Sequence, residues 1–294
     1  MKNLADTRLR RDTMLTEEDL KHIESKVYEV NKEELIARTI FGLNTDAHPG
    51  DETQGYDKVE GYGQAVVSSD GADDIPVVGE KTTREYNKIV SLEMAFKINK
   101  QEQRKARKNN RPVKTYRAGN ARRAISEMEN TLVFQGDEKH NIEGLLNASG
   151  ITTYDVPTDS DSEGTEWGNK TGFEKIADIR EARKRGNKLD GISLDTLVLP
   201  PDQYEDLQEP VNQYNTNTIM SYLEDMGWFD NILEISDLEE GDPDGANDVM
   251  VLIDTNTDHV EISLPMDIQM DDPIKLSNGA EKFNLEERCG GLMI

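Results

Sequence analysis

The chain has 294 residues, of which 35% are hydrophobic and 32% are charged, and its formal net charge is −25. No run approaches the roughly 20 apolar residues that a membrane-spanning helix needs, so we expect no membrane partner. No apolar stretch follows a basic start, which argues against a secretory signal, and a single cysteine, Cys289, excludes an internal disulfide framework. These properties predict a soluble, intracellularly made protein with one large domain or two small ones.

The negative charge is concentrated in the second half of the chain. Residues 151–294 hold 33 acidic against 10 basic side chains, whereas residues 1–150 hold 26 against 24. An acidic surface repels phosphates, which disfavours direct binding of nucleic acid by the second half. Charge of this kind is also typical of a solvated surface that implies no partner.

The first 31 residues are polar and charged and show the pattern of one helix. Thr16 is a candidate N-cap, with acidic residues in the turn that follows. A thin apolar stripe at helical spacing is formed by Leu20, Ile23, Val27 and Val30. A helix with so narrow a stripe cannot form a core alone, so we expect it to pack on its own chain or on a neighbouring copy.

An extended hairpin is predicted in the next part of the chain. Residues 42–57, rich in Gly, Asp and Pro, predict irregular backbone, residues 59–67 a strand, and residues 68–74 a turn. The clearest strand is predicted over residues 85–99, because apolar and polar side chains alternate there. Its apolar positions are Val90, Leu92, Met94, Phe96 and Ile98. A long two-stranded ribbon is marginal in water, so we expect it to lie on another surface.

Residues 100–117 form the one basic stretch, with eight basic side chains and a single acidic one, Glu102. Pro112 separates a first short helix from a longer one. Tyr116 is the only aromatic residue in the stretch, so base stacking on nucleic acid is disfavoured. We favour pairing with acidic residues of a neighbouring copy over contact with nucleic acid, and both remain open. The candidate patch consists of Arg104, Lys105, Arg107 and Lys108.

The sequence TYRAGNARRAISEMENTLVFQG, residues 115–136, predicts a long amphipathic helix. Its apolar stripe has gaps of three and four residues, the helical period. The stripe comprises Ala118, Ala121, Ile125, Met128 and Leu132. We expect Ile125 and Met128 to be buried and Gly136 to end the helix.

After a polar linker at residues 155–169, helices and strands alternate, which predicts an α/β subdomain with a central sheet. Pro201 opens one of these helices at or near its first position. The other predicted elements are a helix at Gly172–Gly186, a buried strand at 194–199, a helix at 218–226, and paired strands at 248–254 and 259–264.

Catalytic signals are weak throughout the sequence. Cys289 lacks the surroundings of a nucleophile, and GYGQAV at residues 61–66 lacks the third glycine and the helix of a dinucleotide loop. Residues 159–164 begin like a calcium loop, but Lys170 stands where a bidentate glutamate is needed. Each histidine stands without a partner in the sequence: His22, His48, His140 and His259. We therefore predict no enzyme activity, no catalytic residue, no cofactor and no metal site.

The long helix and the residues after it resemble a specific family. In encapsulins and the related major capsid proteins of tailed phages, a spine helix ends in ED-x-x-x-F-x-G and is followed by G-I-x-G-L-L-N. The corresponding residues here are Glu129, Phe134, Gly136, Ile142, Gly144, Leu145, Leu146 and Asn147. Residues 37–57, residues 195–207 and the tail NLEERCGGLMI are similar to further segments of the family, so the resemblance covers residues 35–294. Encapsulins open with an LxRxLAPI-like segment that residues 1–40 lack, which favours a viral capsid protein.

The resemblance implies an α+β protein with the Hong Kong 97-type capsid fold. Its expected parts are an N-terminal arm at residues 1–45, an extended loop with flanking strands at 46–99, a peripheral domain with the spine helix at 100–149, an axial domain at 150–270 and a return strand at 271–294.

The implied function is that of a major capsid protein, which assembles with itself through pentamers and hexamers into an icosahedral virion shell around double-stranded DNA, in the host cytoplasm. The expected contacts between copies are Val67, Ile75, Val77 and Val78 of the extended loop and Leu20, Ile23 and Val27 of the arm. Scaffolding, portal and decoration proteins are further expected partners, and the packaged DNA would be bound without sequence specificity. The alternative is an encapsulin-type nanocompartment around a protein cargo. An ordinary α/β enzyme is disfavoured because no catalytic constellation is present.

Overall fold

The computed structural model describes residues 35–67, 76–108, 113–158, 164–189, 191–212, 214–242 and 247–294. The helices are α1 Ala37–Ile40, α2 Lys100–Lys108, α3 Val113–Gln135, α4 Gly172–Gly186, α5 Pro201–Asp206 and α6 Ile219–Asp225. The strands are β1 Gly42–Asn44, β2 Thr53–Tyr62, β3 Gly79–Lys88, β4 Val90–Ile98, β5 Thr196–Leu199, β6 Pro210–Asn212, β7 Asn215–Thr218, β8 Asn231–Glu234, β9 Val251–Ile253, β10 Glu261–Ser263, β11 Met266–Met270, β12 Ile274–Lys275, β13 Glu281–Cys289 and β14 Gly291–Met293.

Several sequence predictions fall outside the described residues and stay predictions. They concern the proposed N-terminal helix with its cap and stripe, one residue of the extended loop, the proline between the two helices, and most of the calcium-like loop. These residues are Thr16, Leu20, Ile23, Val27, Val30, Ile75, Pro112 and residues 159–163.

The long helix α3 packs on a sheet built around β13. β4 pairs with β13 in antiparallel register from Val90 opposite Cys289 to Ile98 opposite Glu281. β11 and β12 pair with the other edge of β13. The predicted stripe on α3 is largely confirmed, because Ala121, Ile125 and Leu132 are buried. These side chains belong to the larger of two hydrophobic cores.

The burial predicted for Met128 is wrong in this single copy of the chain. Met128 is 43% exposed and lines a groove of about 590 Å³ between α3 and β4, together with Leu92, Met94 and Ile125. In place of Met128, its neighbour Glu129 is buried, and towards the end of α3 the buried residues are Asn130, Leu132, Val133 and Phe134. The chain segments that cover this face come from distant parts of the sequence, and the stripe of α3 alone does not reveal them.

The end of α3 is fixed by close backbone contacts, as the sequence predicts. Gly136 has φ of +72°, a left-handed conformation that favours glycine. The amides of Leu145 and Leu146 then donate to the carbonyls of Val133 and Phe134 at 2.8 and 2.9 Å. A Cβ on Gly144 would lie 2.2 Å from the nitrogen of Gly136, so only glycine fits this crossing. The GLLN motif thus supplies partners for helix carbonyls that would otherwise be unpaired.

A second core lies on one face of the sheet formed by β8, β5 and β9. Leu197 and Leu199 of β5 face this core, whereas Val198 belongs to the larger core. The short strand is therefore buried on both faces and joins the two cores. The predicted α4, the buried strand, the helix opened by Pro201 and the helix after Thr218 are all present.

The pairing of strands differs from the prediction in three places. Residues 42–57 are not irregular throughout, since β1 and the start of β2 lie there. The predicted 85–99 strand is broken at the buried Ile89: β2 pairs with β3, which contains residues 85–88, and the chain then enters the β13 sheet as β4. The strands predicted at 248–254 and 259–264 do not pair with each other: β9 pairs with β5, and β10 with β1 and β14.

Replacing Ile125 with Ala should lower the free energy of unfolding by about 2–5 kcal/mol, because the lost side chain leaves a buried cavity. Ile125 is 2% exposed. Met128→Ala is the matched control and should cost clearly less, because Met128 is already partly in solvent. Denaturant unfolding of the unassembled full-length chain measures both. A loss below about 0.5 kcal/mol for Ile125→Ala would contradict the packing of α3 described above.

Candidate assembly surfaces

The two strands β2 and β3 form a ribbon that stands away from the body. They pair over their whole length, from Thr53 opposite Lys88 to Tyr62 opposite Gly79. From Asp57 onwards every residue of β2 is exposed. An isolated two-stranded ribbon gains little from burial, so this one needs a further surface to be stably ordered.

Apolar residues cluster where the ribbon ends. Val66 is 69% exposed, Val67 99%, Val77 89% and Val78 75%. Three of the predicted contact residues, Val67, Val77 and Val78, are therefore available to a partner, while Ile75 lies outside the described residues. We call these four exposed valines the ribbon tip. Apolar side chains grouped in this way are typical of an interaction surface.

The charges along the ribbon pair with each other across the two strands. Arg84 binds Asp57 through two hydrogen bonds at 2.5 and 2.8 Å, and Lys58 lies 3.0 Å from Glu85. The hydrogen bonds from Arg84 hold the pKa of the Asp57 carboxyl below its usual range. Such exposed pairs add little stability. Because these charges pair within the ribbon, the apolar ribbon tip is its candidate surface for contact with a partner.

The base of the ribbon is fastened to the end of the chain. The Asn87 side chain donates to the carbonyl of Leu292 at 2.7 Å, and the Tyr56 hydroxyl donates to the carbonyl of Ile294 at 3.3 Å. Just before β2 begins, the carbonyl of Asp51 accepts a hydrogen bond of 2.6 Å from Arg288 of β13. Burial and the contact with Glu85 raise the pKa of Tyr56 to about 12. The ribbon is thus anchored at one end and exposed at the other.

The predicted basic patch lies on α2. Arg104, Lys105 and Lys108 are exposed, and Arg107 lies in the same helix with its side chain outside the description. The one acid of this helix, Glu102, is occupied by Arg117 at 2.9 Å. The patch is therefore not neutralised by the acid of its own helix.

The fold adds cations to this surface that the sequence pattern did not reveal. Lys97 of β4 stands directly opposite Lys282 of β13, an arrangement that is electrostatically unfavourable. Lys114 and Lys100 already belong to the predicted basic stretch; Lys114 lies 4.5 Å above the ring of Phe283, and Lys100 lies against Gly279. Lys97 and Lys282 are far apart in sequence and meet only through the β4–β13 pairing, so no local pattern could have found this pair.

The described residues show no arrangement with an evident chemical task. Among them, no group of three or more His, Cys, Asp or Glu side chains could hold a metal ion. The prediction that each histidine stands without a partner is wrong for two of them, since His140 contacts Asp137 and His259 contacts Asp254; neither described contact includes a nucleophilic side chain. Cys289 is fully buried, and burial raises the pKa of its thiol to about 12. No described helix is both long enough and apolar enough to cross a membrane.

Comparison with known proteins identifies both family and fold. The family model described as "Major capsid protein" matches residues 63–294. The type 1 encapsulin shell protein EncA of Myxococcus xanthus is 28% identical over 200 residues, an alignment that covers 66% of this chain and only 63% of that protein.

Solved structures extend the likeness to the whole chain. The capsid of Myoviridae phage XM1 matches with a TM-score of 0.78 at 12% identity, covering 96% of this chain and 95% of that one. Gordonia phage Cozz matches with a TM-score of 0.62 at 12% identity, covering 100% and 95%. The predicted α+β capsid fold is therefore confirmed. The chain belongs to the major capsid protein family and has the Hong Kong 97-type fold.

Proposed function

We propose that the chain assembles with itself, through pentamers and hexamers, into the icosahedral shell of a virion around double-stranded DNA. The observation that carries this proposal is a ribbon with an exposed apolar tip, on a fold shared with phage capsids. The role is structural, and no enzymatic step is part of it. Assembly would take place in the host cytoplasm.

The same fold supports the second candidate, a nanocompartment shell around a protein cargo. The similarity to the encapsulin shell protein of Myxococcus xanthus favours it. The contents of purified particles separate the two candidates, since one predicts DNA and the other an enclosed protein.

The parts of the subunit take the roles that the resemblance implies. Residues 1–45 would act as an arm and residues 46–99 as the extended loop, and both would bind neighbouring copies. Residues 100–149 and 271–294 would form the peripheral domain with its return strand, and residues 150–270 the axial domain around which pentamers and hexamers form. The groove between α3 and β4, with the exposed Met94 and Met128, offers a neighbouring ribbon an apolar surface of matching character.

Further partners follow from this role. Scaffolding, portal and decoration proteins would bind the assembling or finished shell, and the DNA would be held without sequence specificity. The basic patch of Arg104, Lys105, Arg107 and Lys108 would pair with acidic residues of a neighbouring copy or face the genome. The acidic excess of residues 151–294 is the complementary charge that a neighbouring copy offers.

Deleting residues 67–78, which carry three of the four ribbon-tip valines, should leave a soluble subunit that no longer closes shells, because most of the apolar contact to the neighbour is lost. Electron microscopy and size-exclusion chromatography measure the outcome. The milder double variant Val77→Ser, Val78→Ser should weaken assembly in the same direction. Leu189→Ser, at a 45% exposed apolar residue away from the ribbon, is the control and should assemble normally. Normal particles from the deletion would refute the role of the tip.

Replacing Arg104, Lys105, Arg107 and Lys108 with Gln should impair assembly or packaging, and the defect should vary with salt because exposed charges are screened over about 8 Å. Empty particles would assign the patch to the genome, whereas unassembled subunits would assign it to a neighbouring copy. A control variant carries four Gln replacements at exposed cations elsewhere: Lys139, Arg180, Lys184 and Lys188. Equal defects in both variants would show that total charge matters and not the patch.

The acidic loops at residues 159–166 and 239–248 should face outwards or line capsomer pores, because densely packed DNA would be repelled by an acidic inner wall. In the described part of the second loop, Glu239 and Glu240 are exposed. A density map of the assembled particle tests this orientation. Both loops against the DNA would contradict it.

A further inference from the structure

A buried carboxyl pair lies beneath the helix with which the described chain begins. Arg38 of α1 donates to both oxygens of Glu129 on α3, with distances between 2.7 and 3.1 Å. The same guanidinium contacts Glu287 of β13 and, at 3.0 Å, Asp267 of β11. One arginine therefore connects α1 to three elements that are distant in sequence.

The charges in this site do not balance. The side chains of Glu129 and Glu287 are 3% and 0% exposed, and they share one cation, Arg38, which is 34% exposed. The third acid, Asp267, is 66% exposed and keeps its charge in water. Two buried carboxylates against one guanidinium leave one uncompensated negative charge, which is costly to bury. A single proton on the pair removes it.

An unpaired oxygen marks the place for that proton. The Oε2 of Glu287 is buried and has no hydrogen-bond partner. Two ionised carboxylates only accept hydrogen bonds and cannot bind each other, whereas a protonated one donates. A proton on the pair therefore turns an unsatisfied buried oxygen into half of a carboxyl–carboxylate hydrogen bond.

The electrostatic surroundings of Glu287 agree with this geometry. Burial, and then the negative charge and hydrogen bond of Glu129, raise the pKa of Glu287 from 4.5 to about 8, against the opposing pull of Arg38. The other groups that face the pair are Asp267, which adds a further upward shift, and the thiol of Cys289, which burial keeps neutral. Arg122 acts on Asp267 from the side of α3.

We propose that Glu129 and Glu287 form a proton-binding site in which one shared proton joins α3 to β13, while Arg38 fastens α1 to both carboxyls. If Arg38 were detached, the two carboxyls would remain buried without a cation and would take up a second proton. Acid therefore favours release of α1, by the reciprocity of linked equilibria. The site couples proton binding to the position at which residues 1–34 join the body.

Infrared spectroscopy of the full-length chain tests the shared proton, in subunits or in assembled particles. The wild-type protein should show the carbonyl band of a protonated carboxylic acid at pH 7, and the band should disappear with a midpoint near pH 8. Glu287→Gln should lack the band, and the control Asp267→Asn, at the exposed acid on the same arginine, should keep it. A wild-type spectrum without such a band at pH 7 would overturn the proposal, even if the variants failed to fold.

Stability gives the same site a second signature. Because the folded pKa lies above the unfolded one, this contribution is complete at acid pH and is lost as the pH rises through about 8. The folding constant of the wild type relative to Glu287→Gln should fall about tenfold per pH unit between roughly pH 5 and pH 8. A ratio that does not change with pH would exclude the proton.

The role of Arg38 needs a separate variant. Arg38→Gln should intensify the carboxylic acid band and speed amide hydrogen exchange across residues 37–41, because both the cation and the fastening are lost. Arg122→Gln, which removes a nearby cation that does not contact the pair, is the matched control and should leave both unchanged. Unaltered exchange in Arg38→Gln would show that the arginine does not hold α1 in place.

Discussion

The antiparallel pairing of β4 with β13 is the contact on which most of the subunit depends. It joins residues 90–98 to residues 281–289 in an uninterrupted ladder of nine residue pairs. This ladder forms the surface on which α3 packs, and it begins one residue after the ribbon has ended at Ile89. Pairing strands that are nearly two hundred residues apart has a cost in loop-closure entropy. We therefore expect the body of the protein to finish folding only after β13, near the end of the chain, has paired with β4.

The elements that the sequence predicts well are those whose signals are local. The proline at the start of α5 and the glycine after α3 each act within one turn, and each lies where it was expected. The errors arise where the outcome depends on distant chain. Nothing local separates β3 from β4, because the backbone is extended on both sides of Ile89 and contains no glycine or proline there.

The assembly surfaces show the same division. Three of the four ribbon-tip valines, Val67, Val77 and Val78, were named from the sequence and are exposed, because an apolar hairpin end with no core of its own is a local feature; Val66 was not named. The wider cationic surface could not be predicted from the sequence, since Lys97 and Lys282 meet only through strand register. The pair of buried carboxyls under Arg38 could not be predicted either. Glu129 looked like a family motif position, and nothing in the sequence connects it with Glu287.

The strand β13 links these features mechanically. Successive residues of a strand point to opposite faces, and here Glu287 contacts Arg38 of α1 while the next residue, Arg288, binds the carbonyl of Asp51 at the ribbon base. The start of the described chain and the root of the ribbon are thus held by neighbouring positions of one strand. A subunit that binds neighbours through both its arm and its ribbon would have the two attachment points fixed relative to each other by a rigid ladder. Glu287 of the proton site is followed directly by Arg288, which binds the base of the ribbon. Gain or loss of the buried proton would then occur one residue from that contact, so the two proposed intersubunit contacts, arm and ribbon, are physically connected through β13.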